Sequence, residues 1–361
     1  MNELELIAKL SNSFGPPGFE EEVVDFIVSQ LEGFACECDY MNNLYVHHPA
    51  NRPGKPVIML DAHTDEVGFM VHSINDNGTL NFIGLGGWAG SNIPAHEVII
   101  KTGDGNKHTG ITVSKPPHFM TAEEKAGNSL YIEQMTIDVG TSSKTATEEI
   151  FGIKAGDPIC PKVSFGYNDR TDVMLGKAMD NRLGCAAVLT ILNTLKDETL
   201  PYNLVGAFAT QEEMGLRGAT VTAQTIAPDF AIVFEGTPAD DLYTTETLSQ
   251  AALHKGPQIR HLDSSYLAHR RFIDYAKQTA QDHGLPYQST VRRSGGTNAG
   301  KIHLSGKGVP VLVLGIPSRF IHTHYAYAAL SDFKHTVALG LALIRNFDPE
   351  VLRYKPGTAS K

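Results

Sequence analysis

Pro56-Val-Ile-Met-Leu60 runs directly into Asp61-Ala-His63-Thr-Asp65-Glu66, and beyond Gly68 the texture of the chain changes. An unbroken apolar run of this length predicts a strand covered on both faces, as inside an α/β sheet. Asn203–Ala209, Phe230–Phe234 and Val309–Leu314 have the same character. Helices are expected around Leu4–Leu10, after the Gly15-Pro16-Pro17-Gly18 break, and over Asn181–Leu195, Tyr266–His283 and Ser331–Phe347. The second of these is expected from the stripe Val23, Val24, Phe26, Ile27 and Leu31, near helical period. Between Gly68 and Pro161, short alternating runs (Phe69–Ile74, Thr79–Ile83, Glu97–Ile100, Gly110–Val113, Ile137–Val139) are split by Asn77-Gly78, Gly103-Asp-Gly105 and Lys115-Pro-Pro117. Frequent turns between short strands predict a small β-rich unit. The expected fold is therefore α/β, a central mixed sheet flanked by helices and interrupted by a small β-rich insertion domain. Residues 1–67 and 162–361 would form the discontinuous main domain and 68–161 the insertion.

Composition narrows the function. A net charge of −10 lacks the gross basic footprint of a nucleic-acid binder. No run approaches the ~18 apolar residues that span a bilayer. The start, Met1-Asn-Glu-Leu-Glu-Leu-Ile7, is acidic and amphipathic, unlike a signal peptide. Cys36, Cys38, Cys160 and Cys185 are too few and scattered for a disulfide framework, so a cytoplasmic location is expected.

Four apolar strands each end in metal-type ligands. Val57–Leu60 leads to His63, Asp65 and Glu66; Leu204–Ala209 leads to Glu212-Glu213; Ile232–Phe234 leads to Glu235; and Val309–Leu314 precedes His322 and His324. Asp180 precedes a further helix. Ligands collect beyond the carboxyl ends of parallel strands in such sheets, although strand direction is not legible here. Each piece alone has an ordinary explanation: a surface His-X-Asp pair, an N-cap aspartate, two solvated glutamates. The set together suits two divalent ions. If Asp180 bridges, one ion takes His63, Asp180 and Glu235 and the other Asp180, Glu213 and His322, each with a position left for water. Asp65 would orient His63 through its other ring nitrogen, and Glu212 would act as general base.

His63-Thr-Asp-Glu-Val-Gly68, Lys177-Ala-Met-Asp-Asn-Arg182, Gln211-Glu-Glu-Met-Gly-Leu-Arg-Gly218, Gly295-Gly-Thr-Asn-Ala-Gly300 and Arg319-Phe-Ile-His322 together resemble the M42 metallo-aminopeptidases. That family includes glutamyl, leucyl and lysyl aminopeptidases and the TET peptidases, and the resemblance spans nearly the whole chain. It implies a di-zinc exopeptidase-like fold and the ligand set above: His63, Asp180, Glu213, Glu235 and His322, with Glu212 as base. It also implies a dimerisation role for the insertion, dimers building a hollow dodecamer, and short peptides as substrates. Two departures stand out. Many relatives have Asp at the position of Glu235, and Asp at that of Asn298.

The expected activity is removal of N-terminal residues from short peptides, with two divalent ions per subunit, zinc being the first expectation and cobalt or manganese the others. Alternatives are a related di-metal amidase (deacylase or dipeptidase) and a non-catalytic metal-binding scaffold. Arg293, beside Arg292, and Asn298 are candidates for substrate contact. No nucleic-acid or membrane partner is expected.

Overall fold

The computed structural model describes residues 1–126 and 130–352; the expected domain end at 361 lies outside them. The chain opens with α1 (Glu3–Asn12), α2 (Glu21–Ser29), β1 (Ala35–Cys38), β2 (Leu44–His47) and β3 (Val57–His63). Next come β4 (Gly68–Ile74), β5 (Leu80–Leu85), β6 (Glu97–Lys101), β7 (Lys107–Ser114), α3 (Ala122–Ala126), β8 (Met135–Asp138), α4 (Lys144–Phe151) and β9 (Pro158–Pro161). The order then runs β10 (Gly166–Asn168), β11 (Val173–Gly176), α5 (Met179–Leu195), β12 (Asn203–Ala209), α6 (Arg217–Ile226) and β13 (Phe230–Pro238). It closes with β14 (Gln258–Leu262), α7 (Arg270–Asp282), β15 (Gln288–Val291), α8 (Ala299–Ile302), β16 (Val311–Arg319), β17 (Ala326–Ala329) and α9 (Leu330–Arg345).

Among the described residues eleven strands form one mixed sheet, ordered β1-β2-β12-β3-β13-β16-β17-β11-β10, with β14 paired to β16 and β15 to β14. Its centre, β12-β3-β13-β16, is parallel. The apolar strands expected from sequence are these four. They are covered on both faces: α5, α7 and α9 pack on one side with Leu60, Phe234 and Leu314, while Met59, Val233 and Val313 face Ala219 of α6 and Ile302 of α8 on the other. The six strands β4 to β9 close into a small barrel of their own, in the order β4-β5-β8-β7-β6-β9. Its interior holds Phe69, Val71, Leu80, Phe82, Val98, Ile100, Ile137 and Ile159. The mixed α/β fold with a β-rich interruption is thus as expected.

Two elements differ from expectation. Helix α7 starts at Arg270 rather than near Tyr266, because the Asp263 carboxylate accepts the Ser265 amide and hydroxyl and folds that segment into a turn. Tyr266 is instead buried, its hydroxyl donating to the Val311 carbonyl. Strand β16 runs on past Leu314 to Arg319, since Gly315 to Ser318 stay in register with Glu235 to Pro238.

The start of α5 ties the layers together. Asp180 and Asn181 have non-helical backbone angles, and the helix proper follows them. Asn181 Oδ1 accepts the amides of Gly184 (3.0 Å) and Gly236 (2.9 Å), while its Nδ2 donates to the Phe234 carbonyl (2.8 Å). The helix cap is therefore Asn181 rather than Asp180, which leaves the Asp180 carboxylate free for other partners. This contact needs glycine on both sides. A Cβ on Gly184 would lie 2.4 Å from the Phe234 carbonyl, and one on Gly236 would lie 2.6 Å from Asp180 Cα.

Below the same turn, Lys177 and Arg182 converge on Glu66, all three buried. Lys177 Nζ also donates to the Ser13 carbonyl (2.9 Å), and Arg182 to the carbonyls of Leu10 (2.7 Å) and Gly15 (3.3 Å). Removing one partner of such a cluster strands the other charges in a dry interior. Glu66→Ala is expected to destabilise the fold by about 3–5 kcal/mol, read as a lower urea midpoint with the far-UV spectrum unchanged before the transition.

Candidate active site

Parallel pairing places the ligand-bearing ends of β12, β3 and β13 at one edge of the sheet. Ala209 lies beside His63. Val233 lies beside Asp61, so two residues further Glu235 comes level with His63 on the same face. The turn before α5 brings Asp180 over these ends, and the segment after β16 returns His322 from the far side.

His63 Nε2 is 3.1 Å from Asp180 Oδ1 and 3.2 Å from Glu235 Oε1. Asp180 Oδ2 is 3.6 Å from His322 Nε2, which is itself 3.5 Å from Glu213 Oε1. The two oxygens of Asp180 thus face two different imidazoles. His63, Asp180 and Glu235 form one group with mutually close ligand atoms, and Asp180, Glu213 and His322 form a second; His63 with Glu212 and Glu213 makes a third.

Both imidazoles are oriented from behind. His63 Nδ1 is 3.2 Å from both the Asp65 carbonyl and Asp65 Oδ1. His322 Nδ1 is 2.8 Å from the Gly87 carbonyl. Those neighbours only accept, so each Nδ1 carries a hydrogen and, with a cation bound, each Nε2 would turn its lone pair to it. A Cβ on Gly87 would sit 3.2 Å from His322 Nδ1, tight enough to push the ring by a few tenths of an ångström.

Asp65 has a second task. One of its oxygens accepts the Glu212 amide and the other the Glu213 amide, both at 3.0 Å. The two glutamates then diverge, Glu213 toward His322 and Glu212 to 4.0 Å from His63 Nε2.

Burial and crowded charge shift the proton affinities of Glu212, Glu213, Glu235, His63 and His322. Burial, together with Glu213, Glu235 and Asp180, pushes the Glu212 carboxyl well up against the pull of His63. Burial raises Glu213 to about 7 and Glu235 to about 8. For His63, burial opposes the charged ring, but Glu212 and Glu235 outweigh it and hold its proton affinity well above the ordinary value. His322 rises to about 9, burial being overcome by Asp180 and Glu213. Glu235 Oε2 is buried without a hydrogen-bond partner among the described residues. A surplus of hard oxygen and imidazole donors, one of them orphaned, fits divalent cations at this cluster.

A cavity of about 600 Å³ opens over the cluster. Asp180, Glu212, Glu213, Glu235 and His322 form one part of its wall; Arg260, Arg292 and the Ser294–Thr297 loop form another. Arg293, the expected substrate contact, is exposed and outside this wall, and its neighbour Arg292 lines it instead. Asn298 does not reach the cavity. It is fully buried and donates from Nδ2 to Asp61 Oδ2 (2.9 Å), below the cluster. His324 turns away as well, stacking on His96 with ring centroids 4.2 Å apart. Arg260, Gly87, Glu20 and Asn43 were not singled out from sequence. Arg260 lies within the short strand β14, where a lone basic residue gives no signal; the others act through backbone contacts that leave no spacing signal.

The model of the M42 glutamyl aminopeptidase family matches residues 42–339. The glutamyl aminopeptidase of Lactococcus lactis is 30% identical, the match covering 92% of this chain and 93% of that one. The crystal structure of a TET aminopeptidase from a marine sediment Thaumarchaeota archaeon superposes with a TM-score of 0.92 at 34% identity, over 97% of this chain and 98% of that one. The Pyrococcus horikoshii TET1 peptidase, described as assembling into a tetrahedron or a large octahedral shell, gives 0.85 at 25% identity over 96% and 100%. Matched from strand to strand by whole-length relatives, this chain belongs to the M42 glutamyl aminopeptidase family and is a peptide hydrolase.

Proposed function

We propose that the protein is a di-metal aminopeptidase that removes N-terminal residues from short peptides, with Glu212 as general base. The observation that carries this reading is the pair of ligand groups sharing Asp180, with Glu212, near His63 and Glu213, outside both of them. His63, Asp180 and Glu235 would hold one divalent ion, and Asp180, Glu213 and His322 the other. Zinc is the first expectation, with cobalt or manganese as alternatives. Two such ions would polarise the scissile carbonyl and make water acidic enough to attack it.

The chain's own residues do the rest. Glu212 takes the proton of the attacking water and returns it to the leaving peptide nitrogen. Asp65 keeps His63 in its Nε2-presenting tautomer and fixes the Glu212 and Glu213 backbone. Arg292 and Arg260 give the far wall positive charge, although Asp263 already pairs with Arg260 at 3.0 Å. Arg292 is therefore the residue we assign to an acidic P1 side chain, in place of Arg293.

The barrel of residues 68–161 would serve dimerisation, with residues 1–67 and 162–361 as the catalytic domain. The family's TET members support assembly of dimers into a dodecamer. Four cysteines without a disulfide, and no helix among the described residues long and apolar enough to cross a membrane, are compatible with a cytoplasmic enzyme. A deacylase on the same cluster would need no free amine, so peptides with free and acetylated N-termini separate the two readings. Stepwise trimming of free peptides alone, abolished by chelation, is the expected outcome; cleavage of blocked peptides would overturn it.

Three quantitative outcomes follow from the same geometry. Glu212→Gln should retain bound metal while kcat falls by about 10²–10⁴, measured on one free-amine peptide. Glu213 and Glu235, raised to about 7 and about 8, must lose their protons before they ligate. Metal binding is therefore expected to release protons near pH 7 and to weaken as pH falls through 8 and 7, read by calorimetry in buffers of different ionisation enthalpy. Arg292→Ala should lower kcat/KM for Glu-X peptides by about tenfold or more relative to Leu-X peptides.

A further inference from the structure

The loop that carries Glu212 and Glu213 is held by side chains from three distant parts of the chain. The Thr210 amide donates to Asn43 Oδ1 (2.8 Å) and the Gln211 amide to Glu20 Oε1 (3.1 Å). The Glu212 and Glu213 amides donate to the two oxygens of Asp65. Four successive amides are thus placed by side chains. Within this run Gln211 adopts a φ of +52°, a left-handed conformation that a non-glycine residue holds only when its surroundings impose it.

Glu20 is the member of this set with no evident structural gain. It is fully buried, its Oε1 also accepts the Gly18 amide (2.8 Å), and its Oε2 has no partner among the described residues. Burying a carboxyl with an orphaned oxygen is unfavourable, and a polar group that served only packing could be replaced there by an amide or an apolar side chain. Its segment is firmly seated: the Gly15 carbonyl accepts the Glu66 amide (3.0 Å) and Arg182 Nη2 (3.3 Å). The one contact Glu20 makes toward the cavity is the Gln211 amide, one residue before Glu212.

We infer that Glu20 is a positioning residue for hydrolysis: by capturing the Gln211 amide it sets the turn that directs Glu212 into the cavity, while Asp65 holds the Glu213 amide. Glu20 touches neither metal ligand nor cavity. The inference rests on the reading of Glu212 as general base.

The test compares metal-loaded full-length wild type, Glu20→Ala, Glu20→Gln and Glu212→Gln on one free-amine peptide, with bound metal measured for each. Glu20→Ala should lower kcat by on the order of 10²-fold, the size of effect that a small misplacement of a catalytic group produces, with KM and metal content unchanged. Glu20→Gln keeps an oxygen acceptor for both amides and should recover most of that loss. If Glu20→Ala does not fold, Glu20→Asp, which withdraws the acceptor by one methylene, should show the kcat loss. Three results would overturn the inference: wild-type kcat in a folded Glu20→Ala or Glu20→Asp while Glu212→Gln is inactive, metal lost in step with kcat, or equal impairment of Ala and Gln variants. A fully active Glu212→Gln would instead remove the base assignment on which the inference stands.

Discussion

Five carboxylates and two imidazoles occupy one poorly hydrated edge of a sheet, and the rest of the molecule is arranged around that concentration of charge. Carboxylates with ligand atoms within 4.8 Å of one another in a low-dielectric setting repel strongly unless cations or protons intervene. The pocket supplies both imidazolium protons and carboxyl protons, which is why Glu213, Glu235 and His322 all bind protons more tightly than usual. Asp180 goes the other way. Burial opposes its charge, but the bonds to His322 and His63 hold its carboxyl well below the ordinary range. It is the anion that both halves of the cluster share, and its place is set by Asn181, whose side chain locks the start of α5 to β13.

Much of this was legible because chemistry and topology coincide. Continuous apolar runs marked β3, β12, β13 and β16, and polar residues after them marked the edge where the cluster forms. The sequence left strand direction open, since direction is decided by pairing partners far away in the chain. Parallel register answers that: Ala209 beside His63 and Val233 beside Asp61 bring three strand ends level. Asn181 was less visible. Asp180, read as the bridging ligand, had helix capping as its ordinary alternative, and the adjacent Asn181 takes that role.

The substrate wall was the least legible part. Arg292 and Arg293 are neighbours in a segment leaving an edge strand, so which of them faces the cavity depends on local twist. Asn298 follows a Gly-rich turn that suggested an exposed loop, yet it lies at the start of α8, where a buried Asp61 needs a donor. A second histidine two residues after His322 repeated the ligand type, but the backbone there is bent, with left-handed angles at Phe320 and His322, and His324 turns into an aromatic stack with His96 and Trp88. For Asn298 and His324 the deciding contact comes from a residue more than two hundred positions away.

The buried contact between Glu66 and Lys177 spans a gap of 111 residues in sequence, and the whole barrel lies within that gap. Glu66 precedes β4 by two residues, and Lys177 directly follows β11. The residue that leads into the barrel is therefore fastened to the end of β11, the second sheet strand after the barrel closes. The entropy of closing so long an excursion grows only slowly with its length, so the clasp, rather than the barrel, fixes the distance between His63 and Asp180. A fold built this way can lengthen, trim or resurface its inserted unit, and so change what it associates with, while the spacing of its reactive groups is inherited unchanged.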